Sequence, residues 1–117
     1  MISQADAKTI AALLAAVGEP TRMLLLHRLT AGPSHVGALA DLVGAPVVNV
    51  SHHLGVMRQA GLLDDTRAGR RKVYALRDDV YTAGGGAGVL GTLRRGGFSL
   101  VLRTEEAAAK VRAKQAG

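Results

Sequence analysis

Apolar residues recur along the first half of the chain with the period of a helix. Ile10, Leu13, Leu14 and Val17 fall at i, i+3, i+4 and i+7, one side of an α-helix, and Gly18 ends it. Glu19-Pro20 opens a second helix, because proline is tolerated in a first turn; Leu25, Leu26 and Leu29 form its buried side and Ala31-Gly32-Pro33 stops it. Ser34 has the chemistry of an N-cap for a third helix, in which Val36, Leu39, Ala40 and Val43 repeat the period before Gly44. Pro46 starts a fourth helix that runs to about Ala60, and Gly61 terminates it. The period then changes. Two strand-like runs, 62–67 and 72–76, flank Ala68-Gly69-Arg70-Arg71, which predicts a β-hairpin with a basic tip.

Beyond residue 80 the pattern is governed by glycine. Gly84, Gly85, Gly86, Gly88, Gly91, Gly96 and Gly97 argue against a continuous helix there. Two apolar runs, 88–93 and 98–103, bracket Arg94-Arg95-Gly96-Gly97, which predicts a second, glycine-turned hairpin, with a flexible linker as the competing reading. Thr104-Glu105-Glu106 then caps an alanine-rich helix to about Lys114, acidic at its start and basic at its end, as the helix dipole favours. The expected organisation is a folded unit over 1–80 and a glycine-rich segment plus a C-terminal helix over 81–117, the latter a candidate for dimerisation.

The third and fourth helices are joined by only Gly44, Ala45 and a proline, so they form a helix-turn-helix, and a basic hairpin directly after it makes a winged version. The expected fold class is mainly α with a β-wing (α+β): about four helices, then a hairpin. In the fourth helix Val47, Val50, Leu54 and Met57 are spaced 3, 4 and 3 and form the expected core stripe. Val48, Ser51, His52, Gly55, Arg58 and Gln59 lie on the other side, with Asn49 at its edge. That side is small and polar enough to enter a major groove about 12 Å wide. Asn can bond adenine at two atoms, and Ser and His reach base edges or phosphates.

Charge sharpens this picture. The 117 residues carry 15 basic and 9 acidic side chains, a net charge of +6 that fits a polyanionic partner. Arg67, Arg70, Arg71 and Lys72 crowd the hairpin, where they would meet flanking phosphates, and Arg58 sits where the fourth helix would leave the groove. Thr21 and Arg22, at the start of the second helix, are further candidates for phosphate contact.

The adjacent histidines His52 and His53 invite a metal reading, but neighbouring helical residues point about 100° apart, and zinc pairs on helices prefer i, i+4. His52 therefore goes with Ser51 towards DNA, and His53 with Val50 and Leu54 towards the core. Cysteine is absent, which removes disulfides and thiolate metal sites. The nitrogen and oxygen donors His27, His35, Asp41, Glu19, Asp64, Asp65, Asp78 and Asp79 would suit nickel or zinc, with His35, His27 and Asp41 the candidates for an effector site, but no spacing among them is diagnostic. There is no catalytic triad order, phosphate loop or HExxH, so no enzyme is expected. No run of eighteen apolar residues and no basic-then-apolar start are present, so no membrane partner and a cytoplasmic location are expected.

Three stretches carry a resemblance. EPTRMLLLHRL, VGALADLVGAPVVNVSHHLGVMRQAGLL and AGRRKVYAL resemble the ArsR/SmtB-type winged helix-turn-helix repressors over roughly residues 10–77. The resemblance implies a homodimer on an imperfect palindrome of operator DNA, with repression relieved or induced by a metal or another signal. The chain also departs from the pattern. Where the family often has a Cys-containing metal motif on the third helix, this chain has Ser34-His35-Val36-Gly37-Ala38-Leu39-Ala40. No histidine follows His53, so the family's C-terminal Asp/His site cannot be built in its usual form. Gly55 replaces a common lysine, and Val47 and Val48 stand where Gln and Ser are frequent. These departures motivate an alternative, a winged-helix interaction module with weak DNA readout that acts with an effector-sensing partner protein.

Overall fold

The computed structural model describes residues 1–116; the side chains of residues 107, 111 and 116 lie outside that description. Among the described residues the chain forms five helices and six strands: α1 (Gln4–Val17), α2 (Pro20–Leu29), β1 (Ser34–His35), α3 (Val36–Val43), α4 (Val47–Gln59), β2 (Leu63–Ala68), β3 (Arg71–Leu76), β4 (Tyr81–Ala83), β5 (Val89–Arg95), β6 (Phe98–Arg103) and α5 (Glu105–Ala116). The strands make two separate antiparallel sheets, ordered β1-β3-β2 and β4-β5-β6. This is a winged helix-turn-helix followed by a second small sheet.

The helix ends follow from their capping chemistry. The Ser3 hydroxyl accepts from the Asp6 amide at the start of α1, and the Glu19 carboxylate accepts from the Arg22 amide at the start of α2. Gly44, left-handed at φ 67°, closes α3 and allows the chain to turn at once into α4. Ser34 is not the cap of α3. Its backbone pairs with Tyr74 in the sheet, and His35 takes the capping role, its Nδ1 accepting from the Ala38 amide at 3.3 Å. Pairing with β3 drew Ser34 into an extended strand that helix periodicity alone could not reveal.

One core gathers Leu13, Leu25, Leu39, Val50, Leu54 and Met57 from the helices, Leu62 from the turn after α4, Leu63 from β2, and Tyr74 and Leu76 from β3. Val80 and Leu93 belong to the same cluster, and Tyr81, Leu100 and Leu102 pack against it. Leu93, on the second sheet, is 1% exposed. Val47 is the exception to the expected stripe of α4: it is 49% exposed. It is the first residue of the helix, ahead of the turn that meets α3, so only Val50, Leu54 and Met57 are buried.

The two hairpins differ at their tips. The wing turns on Gly69-Arg70, with Ala68 paired to Arg71 and Gly69 at φ 65°. The second hairpin turns on Gly96-Gly97, with Arg95 paired to Phe98 and both glycines at positive φ (55° and 75°), as a type I′ turn requires. Nothing lies within 4 Å of where a Gly69 Cβ would be, whereas a Cβ on Gly96 would stand 2.7 Å from the Asp6 carbonyl oxygen. The first tip is free, and the second is seated on α1. On the same sheet, the Arg95 guanidinium lies against Gly61 at the end of α4, where a Cβ would run into it.

Candidate DNA interface

Helix α4 presents its outer side to solvent. Asn49, His52 and Arg58 are exposed, Ser51 and Gly55 are half-buried, and Val48 is 77% exposed. No side chain larger than histidine interrupts this surface before Arg58, so it can approach a groove closely. Next to it stands the wing, whose Arg67, Arg70, Arg71 and Lys72 are all exposed. Among the described residues, Arg67, Arg70 and Arg71 form no ion pair, which leaves their guanidiniums free for phosphate.

Asp65 joins the helix to the wing. From β2 its carboxylate takes Arg58 Nε at 2.6 Å on one oxygen and Lys72 Nζ at 3.4 Å on the other. The carboxylate is 17% exposed, while Arg58 and Lys72 are 58% and 44% exposed. The acid is thus sunk between two cations whose outer surfaces still face solvent. Lys72 also lies over the Tyr74 ring, 5.6 Å from its centroid. The sequence marked Asp65 only as one of several oxygen donors. Its bridging role depends on the register that sets Asp65 opposite Tyr74, beside the Arg67–Lys72 pair.

A second polar cluster lies beneath α4. Arg22 donates through Nε to the Ala16 carbonyl, and its Nη1 is 3.1 Å from His53 Nδ1. His53 Nδ1 is also 3.7 Å from a Glu19 carboxylate oxygen. Arg22 is therefore turned inward, tying α1, α2 and α4 together, while Thr21 beside it is half-buried. His53 is half-buried on the inner side of α4, where its ring nitrogen meets this polar cluster. The Arg22 amide is the main influence holding the Glu19 carboxylate below its ordinary value, with His53 and Arg22 charge adding to it.

The rings of His52 and His53 are 6.0 Å apart and tilted by 59°, with His52 directed outward. His35 is engaged with the α3 backbone, His27 lines a cleft with Leu90 and Thr104, and Asp41 is exposed. These three do not converge, and among the described residues no three His, Asp or Glu side chains gather as a metal site would need. One chain's described donors therefore do not fit a metal effector. Elsewhere, Arg77 grips Asp79 with two hydrogen bonds of 2.9 and 2.8 Å, lowering the Asp79 carboxylate and raising the guanidinium.

Comparison with known proteins agrees with this geometry. A family profile described as a helix-turn-helix domain matches residues 17–66. The HTH-type transcriptional regulator YgaV of Escherichia coli is 36% identical over 81 residues, covering 68% of this chain and 82% of that protein. The HTH-type transcriptional regulator NmtR of Mycobacterium tuberculosis is 43% identical over 76 residues, covering 65% of this chain; the match spans only 62% of NmtR. Among solved structures, a homodimeric winged helix-turn-helix DNA-binding domain of Mycobacterium bovis, described as a possible ArsR-family transcriptional regulator, superposes with a TM-score of 0.58. It is 19% identical, with 94% of this chain and 78% of that one covered, and so speaks for the fold.

Proposed function

The chain belongs to the ArsR/SmtB family of winged helix-turn-helix, DNA-binding transcriptional regulators, and on that premise we propose that it represses transcription by binding operator DNA as a homodimer. The observation that carries the reading is the continuous surface made by the outer side of α4 and the basic wing, braced by Asp65 between Arg58 and Lys72. Asn49, Ser51 and His52 read base edges in the major groove, and Val48 meets a thymine methyl group. Arg58, Arg67, Arg70, Arg71 and Lys72 hold phosphates. Thr21 offers a hydroxyl to the backbone, and Arg22 acts from behind by fixing α4. Residues 1–80 carry the DNA contact, and 81–117 carry dimerisation together with α1. A dimer suits half-sites about 34 Å apart, and an effector acts by shifting the dimer away from that spacing.

Fluorescence anisotropy with duplex DNA from upstream of the chain's own gene tests the assignment. Asn49→Ala and His52→Ala should each weaken the specific duplex about tenfold and leave random duplex unchanged. An equal loss on both duplexes would reduce α4 to a non-specific contact. For the effector, calorimetric titration with nickel, zinc and cobalt separates a metal signal from a non-metal one.

A second reading is favoured by one observation. Leu42, Val47 and Val48 are 57%, 49% and 77% exposed around the α3–α4 turn, an apolar patch suited to a protein partner. Under that reading Arg70→Ala with Arg71→Ala leaves partner binding intact; loss of function together with DNA affinity decides against it.

A further inference from the structure

The second sheet ends in an open edge. Among the described residues strand β6 pairs only with β5, and it is the last strand in the order β4-β5-β6. In a hairpin with a two-residue loop the pair flanking the turn exchanges hydrogen bonds, here Arg95 with Phe98, and every second pair repeats this as far as Gly91 with Leu102; beyond it the irregularity lies in β5, at Leu90, and β6 keeps its alternation. The main-chain groups of Phe98, Leu100 and Leu102 are therefore spent on β5, and those of Ser99, Val101 and Arg103 face outward. All three of these residues are exposed, Val101 by 61%. Among the described residues no turn, loop or cap supplies a main-chain partner for their amides.

Natural sheets usually protect such an edge with proline, lysine or an inward charge. Phe98-Ser99-Leu100-Val101-Leu102-Arg103 has none of these along its first five residues. Beside the edge lies an apolar cleft lined by Met23, Leu26 and His27 of α2 and by Leu90, Val101 and Leu102. Met23 is itself 49% exposed and shares this cleft with Val101.

We propose that β6 is the dimerisation strand: it pairs antiparallel with β6 of a second copy about a twofold axis at Val101, joining the two β4-β5-β6 sheets into one. This rests on the homodimer reading above and names its interface. The edge is complementary to itself, as an isologous contact requires. Val101 meets Val101 of the other copy, and each Arg103 lies opposite a Ser99. The two Arg103 side chains then stand about 13 Å apart, beyond the screening length in physiological salt, so the chain's positive charge does not oppose the pairing.

The test uses the full chain in analytical ultracentrifugation, with three variants. Val101→Pro removes only an outward amide, which an edge strand tolerates, and Val101→Lys adds the charge that edges normally carry. Each should raise the dimer dissociation constant about a hundredfold with the far-UV circular dichroism unchanged. In this cysteine-free chain Val101→Cys should cross-link to dimer under mild oxidation, since directly paired residues lie about 5.5 Å apart, within disulfide range. Val48→Cys is the control and should not cross-link. Wild-type dimer that persists in both the Pro and Lys variants, with no cross-link at residue 101, overturns the β6 interface while the homodimer reading stands. A wild-type chain that is monomeric at every concentration, on DNA as well as free, overturns both.

Discussion

The wing and the second hairpin are built alike and used differently. Each is an antiparallel pair of strands closed on a two-residue turn with glycine at positive φ, and each carries arginines at or near its tip. A Cβ on Gly69 at the wing tip would meet open space, and among the described residues the exposed Arg67, Arg70 and Arg71 form no ion pair. The second tip is pressed on α1, Leu93 is in the core, and Arg95 lies against the end of α4. Charge at a free tip is available to a ligand, whereas at the docked tip Arg95 is held against α4, its buried Nε without a hydrogen-bond partner among the described residues. Position in the packing decides what an arginine does, and composition alone does not.

The sharpest way to break this contrast is to truncate the docked side. Leu93→Ala should cost about 2–5 kcal/mol of stability in urea unfolding, in one transition that includes the helices. An unchanged helical transition would make the second sheet an independent appendage. Next come the turn glycines. Gly96→Ala places a Cβ against the α1 backbone at a left-handed φ, and should cost about 2 kcal/mol or more. Gly69→Ala meets open space and carries only the conformational strain, about 1 kcal/mol. Equal losses would erase the distinction between the tips.

Smaller effects concern DNA. Replacing both Arg70 and Arg71 by Ala should lower affinity about tenfold or more near physiological salt and reduce the salt slope by about 2. Arg94→Ala, one cation lost from the docked hairpin, where its guanidinium lies 3.5 Å from the Thr82 hydroxyl, should change affinity less than about threefold. The smallest effect is on pH. Glu19 and Asp79 are both held below their ordinary values of 4.5 and 3.8, so each adds stability above those values that is lost as pH falls through the lowered ones. Thermal melts should therefore weaken in that acid range, and Glu19→Gln should flatten part of the decline.

The helix-turn-helix was legible because its signals are local. Helical periodicity in α1 to α4, the break at Gly44 and the basic turn after Gly61 each lie within a few residues. The glycine-turned hairpin at residues 96–97 was legible for the same reason. The features that sequence missed depend on long-range pairing. Strand β1 exists because Ser34 meets Tyr74, forty positions away, and β4 because Tyr81 meets Leu93. Periodicity turned His53 inward, but the partners it meets there, an arginine from α2 and the Glu19 carboxylate, come from distant positions and were not readable. The outer residues of α4 were readable as a face; the brace at Asp65 required the register of the wing.

The central claim is that α4 and the free wing together hold operator DNA. A salt titration of wild-type anisotropy on the upstream duplex, against scrambled duplex of equal length, tests it most directly. The account predicts at least about thousandfold preference for the upstream duplex and a steep linear fall of log affinity with log salt. Equal affinity for the two duplexes, or binding that salt leaves unchanged, would contradict it.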